Sequence, residues 1–61
     1  MEAWVLEQLT EIKAIEVEVL GMVAENQIRL QQNESVAYPE SAFQAKAAEL
    51  RSVAALLNRY R

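Results

Sequence analysis

Sixty-one residues, 52% of them hydrophobic and with a formal net charge of −3, suffice for one small domain with little core of its own. The chain has no Cys and no His, and Glu is its only acidic residue type, which excludes a disulfide framework and a structural zinc site. The hydrophobic content is too high for a disordered segment, and the acidic balance disfavours a general nucleic-acid binder.

A chain this short with no covalent or metal staple is expected to complete its core on a partner. Its charge is uneven: residues 1–30 carry six Glu against Lys13 and Arg29, whereas residues 41–61 carry Glu49 against Lys46, Arg51, Arg59 and Arg61. The apolar runs fall far short of a membrane span. Met1-Glu2-Ala3-Trp4 lacks the basic start of a signal peptide, so a cytoplasmic location is expected. Asn33-Glu34-Ser35 matches a glycosylation sequon, but no secretion signal accompanies it.

The first element is ambiguous over a short window. Ile15, Val17 and Val19 alternate with Glu16 and Glu18, as in a half-buried strand. Over a longer window Val5, Leu9, Ile12, Glu16, Val19, Val23, Asn26 and Leu30 step by four and three. A repeat sustained over several turns outranks a brief alternation, so one helix is predicted over about residues 2–32. Gly21 costs about 1 kcal/mol relative to Ala within it. It is either a tolerated imperfection or a place of close packing, since Ala3, Thr10, Ala14 and Ala24 share its side of the helix.

The short polar stretch over residues 33–38 predicts a turn that folds the chain back on itself. Tyr38-Pro39-Glu40-Ser41 reads as a helix start, with Pro in the first turn and Glu at the positive end of the dipole. Phe43, Ala47, Leu50, Ala54, Leu57 and Arg61 again step by four and three, so a second helix is predicted over about residues 39–60. The fold class expected is all-α: residues 1–61 as a single antiparallel helical hairpin. Its second seam alternates large and small residues, which lets two helices approach closely.

Apolar side chains on the first helix run from Trp4 and Met22 through Ile15, Val19, Val5 and Val23 to Leu9, Leu20 and Leu6. At ~100° per residue this arc covers about half the circumference or more, wider than a helix with one neighbour needs. The excess predicts a second hairpin and a homodimeric four-helix bundle, with Ile15, Val19, Leu20, Met22, Val23 and Asn26 at the dimer interface. Asn26 is expected to set register and Glu16 to lie at a solvated rim, because burying an unpaired carboxylate is costly. The unequal helix lengths predict that roughly the first ten residues overhang. Trp4, Val5, Leu6 and Leu9 on that overhang are the candidate partner-binding residues; the alternative is that the dimer covers them.

No catalytic constellation is visible. Ser35, Ser41 and Ser52 have no His to activate them. Glu7 beside Glu11, and the stripe of Glu11, Glu18 and Glu25, could suggest a metal, but bundle metal sites use a Glu-x-x-His motif missing here; a solvated face is expected. No metal, no cofactor and no enzymatic activity are predicted. The tail Asn58-Arg59-Tyr60-Arg61, two Arg flanking an aromatic, could grip a phosphate and stack a base, although Arg at a helix end also suits the dipole.

The expected layout resembles the Rop family of small RNA-binding plasmid proteins, which dimerise as two helical hairpins. The likeness lies in the hairpin and the alanine-bearing seam, and no functional residue carries over. It implies the alternative function, a homodimeric RNA- or DNA-binding regulator using the basic end of the second helix. The leading expectation is a small protein-binding adaptor, co-chaperone or inhibitor acting through apolar helix surface.

Overall fold

The computed structural model describes residues 2–59. Among them are two helices and no strand: α1 (Ala3–Gln31) and α2 (Glu40–Arg59), packed against each other. The alternation at Ile15–Val19 is therefore helical, a fragment of a longer three–four repeat. Tyr60 and Arg61, which belong to the basic tail, lie outside the described residues.

Each end of α1 is closed by its own backbone. Glu2 is extended (φ −75°, ψ 148°) and makes no side-chain cap; its carbonyl accepts the N–H groups of Val5 and Leu6 at 3.0 and 3.2 Å. At the far end Asn33 adopts φ 60°, a left-handed conformation that Asn tolerates better than most residues. The Glu34 N–H donates to the Arg29 carbonyl at 2.8 Å and the Asn33 N–H to that of Leu30 at 3.1 Å. This pair of bonds is the Schellman motif, which satisfies the last carbonyls and turns the chain. α2 begins just after Pro39, whose carbonyl accepts the Ala42 N–H at 2.9 Å.

The contact between the helices is a single seam. On α1, Val5, Gln8, Ile12, Ile15, Val19, Met22, Asn26 and Arg29 are buried or half-buried. On α2 the matching residues are Phe43, Lys46, Ala47, Leu50, Val53 and Leu57. Ile15, Met22 and Val53 are the only buried residues among those described, at 3%, 6% and 7% exposure.

This seam corrects four of the eight positions predicted on α1 and, among the described positions on α2, Ala54 alone. Val5, Ile12, Val19 and Asn26 of the predicted repeat face α2, among them Val19 and Asn26, assigned above to a dimer interface, and Val5, assigned to the overhang; Gln8, Ile15, Met22 and Arg29 take the intervening places, while Leu9, Glu16, Val23 and Leu30 stay exposed. On α2 the place assigned to Ala54 belongs to Val53, and Ala54 is exposed. At the centre the exchange favours burial, since Ile15 and Met22 bury more apolar area than Glu16 and Val23, and Val53 more than Ala54; at the ends it sets Gln8 and Arg29 in place of Leu9 and Leu30. Gly21 does not mediate close packing. It is exposed, and a β-carbon added there meets nothing within 4 Å.

The register also overturns the predicted N-terminal overhang. Lys46 Nζ lies 2.8 Å from Glu18 Oε1. Thirteen residues on from Lys46 is Arg59, and thirteen back from Glu18 is Val5. With both helices rising ~1.5 Å per residue, α2 ends level with Val5. The unmatched length lies at the other end, after Ala24, where the link over residues 32–39 runs back beside α1. Asn26 holds it there: its Nδ2 donates to the Tyr38 carbonyl at 2.8 Å and its Oδ1 accepts the Tyr38 N–H at 2.9 Å. The whole hairpin measures 48 × 18 × 8 Å, one helix thick.

Two outcomes are expected from this architecture. Gly21→Ala should stabilise the hairpin by about 1 kcal/mol, since it gains helix propensity and meets no obstruction; for a domain this small that raises Tm by about 4–8 °C in a thermal melt. Asn26→Ala should cost about 1–3 kcal/mol for two lost hydrogen bonds, measured by urea unfolding. Asn26→Asp should fall between, because a carboxylate keeps the accepting half of the clamp but cannot donate to the Tyr38 carbonyl.

Candidate functional site

The positions that α2 leaves uncovered on α1 form a continuous feature. Leu6, Leu9, Leu20, Val23 and Leu30 are all exposed, Leu20 at 69%. At ~100° per residue they fall to one side of Ile15, and Glu18 falls to the other. The Lys46–Glu18 contact fixes which side is which. The apolar residues share one broad face of the flat hairpin with Ala47 and Ala54 of α2, while the ion pairs of Lys46 and Arg29 occupy the opposite face.

One charged pair interrupts this outer seam. Lys13 Nζ lies 3.4 Å from Glu16 Oε2, one turn apart, with both side chains largely in solvent. The expectation of a solvated Glu16 agrees with its exposure here.

The opposite face is electrostatic. Lys46 bridges Glu18 at 2.8 Å and Glu49 at 3.1 Å, and Arg29 meets Glu25 at 3.1 Å within α1. Two carboxylates of the predicted acidic stripe thus have cationic partners. The hydrogen bond to Glu18, then that to Glu49, raises the Lys46 pKa above its ordinary 10.5. Its aliphatic stem covers the seam while its ammonium reaches the rim. A third feature lies at the loop end, where Ile28, Leu30, Val36 and Tyr38 are exposed together with the last turns of α1.

The residues predicted as sites separate on this framework. Of the predicted partner-binding group, Trp4 and Val5 are half-buried beside the end of α2, whereas Leu6 and Leu9 open onto the outer seam. Of the predicted dimer interface, Ile15 and Met22 are used up inside the hairpin, and Val19 is half-buried. Leu20 and Val23 stand on the outer seam, and Asn26 turns its amide to the link. Lys46 and Val53 escaped the reading of the sequence. The spacing Phe43, Lys46, Leu50, Val53, Leu57 is as regular as the one that used Ala47 and Ala54, but a lysine at the second place disguised it.

Among the described residues no pocket opens, no three Glu are grouped to hold a metal ion, and no helix is long and apolar enough to cross a membrane. What the hairpin offers is helix surface: one apolar face, one charged face and an apolar end. No family model, curated protein or solved structure matches the chain.

The Lys46 bridge gives a signed pH dependence. Because its folded pKa is raised, its contribution is complete below pH 10.5 and is lost as the pH climbs through the folded value. The urea midpoint of the wild type should therefore hold steady relative to that of Lys46→Met up to about pH 10 and fall as the pH rises further. A constant difference between the two proteins would remove the bridge from the stability of the fold.

Proposed function

We propose that this chain is a protein-binding helical module, a small adaptor, co-chaperone or inhibitor, that works as a homodimeric four-helix bundle. The observation that carries the reading is the second seam of α1: an exposed row of Leu6, Leu9, Leu20, Val23 and Leu30 on a hairpin with only three buried residues among those described. Rows of this kind on small proteins mark association surfaces. A face of 48 by 18 Å is large enough for the roughly 800 Å² per partner of a stable interface. The alanines of α2 on the same face leave room for another helix to approach.

The dimer is the first use of that surface, and the client is a second protein. Ile28, Leu30, Val36 and Tyr38 keep apolar area at the loop end, beyond the stretch of α1 that a second copy covers. This moves the client site away from Trp4, whose half-buried place beside α2 suits a structural role. The alternative of a nucleic-acid-binding regulator parts from this reading in a salt series. Binding through phosphates weakens steeply with salt, and binding through an apolar interface does so only slightly.

Sedimentation tests the dimer directly. At tens of micromolar the wild type should run at about 14 kDa, twice the chain mass of 6.9 kDa. Leu20→Glu should run as a helical monomer, because Leu20 lies outside the hairpin core and within the proposed interface. A folded monomeric wild type at that concentration sinks the reading.

A further inference from the structure

The outer seam has an internal symmetry that says how a second copy would sit on it. Leu6, Leu9, Lys13, Glu16, Leu20 and Val23 step by three, four, three, four and three, the spacing of the two core positions of a heptad. Leu6, Lys13 and Leu20 occupy one position; Leu9, Glu16 and Val23 occupy the other. Read from either end the series is the same in kind: two apolar residues, a charge, the opposite charge, two apolar residues. Its midpoint falls between Ala14 and Ile15.

We propose that α1 packs on α1 of a second copy in antiparallel sense, about a two-fold axis that runs between the two helices at the level of Ala14 and Ile15. In antiparallel packing each layer pairs one heptad position with the other. Leu6 then meets Val23 of the second copy, Leu9 meets its Leu20, and Lys13 meets its Glu16. Every layer is matched, and the two-fold repeats each match. The two Lys13–Glu16 pairs, now 3.4 Å apart within each helix, join into a four-charge cluster at the centre.

Charge complementarity selects this arrangement over its competitors. Parallel packing brings like positions together, placing Lys13 on Lys13 and Glu16 on Glu16 at the middle of the interface, where like charges are costly. Sliding the antiparallel pair by one heptad sets each charge against a Leu or Val and leaves it unpaired, which is costly as well. The central pair thus fixes both sense and register, as single polar core residues do in coiled coils. Leu30 falls beyond the paired stretch, which agrees with its place in the client surface proposed above.

The inference rests on the dimer proposed above, and cysteine pairing separates the two. The chain has no Cys of its own. Leu9→Cys and Leu20→Cys chains are prepared singly, refolded alone or together, oxidised with oxidised glutathione and run on a non-reducing gel. Antiparallel packing predicts a covalent dimer in the mixture at least about tenfold more abundant than in either variant alone. The separation of eleven positions between Leu9 and Leu20 holds like cysteines ~16 Å apart, beyond disulfide reach. Leu6→Cys with Val23→Cys should behave in the same way. Cross-linking of each variant with itself, but not with the other, overturns the proposal in favour of parallel packing while the dimer stands. No cross-link in any combination, with a wild type that sediments as a dimer, also overturns it and places the interface elsewhere. A monomeric wild type removes both.

Discussion

The structure turns on a mismatch within α1. Val5, Ile12, Val19 and Asn26 form an axis shared by two seams, one completed by Gln8, Ile15, Met22 and Arg29, the other by Leu9, Glu16, Val23 and Leu30. A chain with one other helix can cover only one of them. α2 takes the seam with Ile15 and Met22, which are buried at the centre of the hairpin, and the other remains on the surface. The flatness of the molecule, its small buried set and the direction in which it offers apolar area all descend from that choice.

α2 is built to accept this role. Val53 and Leu50 fill the inner seam, and Lys46 closes it at the edge by lying along the contact and reaching Glu18. Its other broad side presents Ala47 and Ala54, which add little area of their own. The two helices therefore differ in kind. α1 carries most of the apolar surface, and α2 is a cover for one side of it that lets something else approach the other.

Much of this was legible in the sequence. The three–four repeat named both helices, and Pro39 marked the start of the second. The excess apolar arc announced surface left over. The allocation between seams was not legible, because shared positions make both repeats equally regular and only relative burial separates them. The lysine at position 46 hid its seam for the same reason: spacing identifies a face, but a long amphipathic side chain can belong to a face and to solvent at once. The unmatched length lies at the loop end because the link over residues 32–39 runs back beside α1, held there by Asn26. The pairing of Asn26 with Tyr38 spans twelve positions and leaves no periodic trace.

That clamp divides the link into two unequal kinds of chain. Between Glu34 and Ala37 no hydrogen bond to the helices is set after the Schellman turn, so added length there is absorbed as a wider arc at modest entropic cost. Between Tyr38 and Glu40 the backbone is tied to α1 on one side and committed to helix on the other. A single residue inserted there rotates α2 by ~100°, which turns Lys46 away from Glu18 and takes Val53 out of the core. The link is thus a hinge-free joint with one end soldered. Epitopes, tags or whole domains grafted after Glu34 would ride on the hairpin without disturbing how its helices are phased.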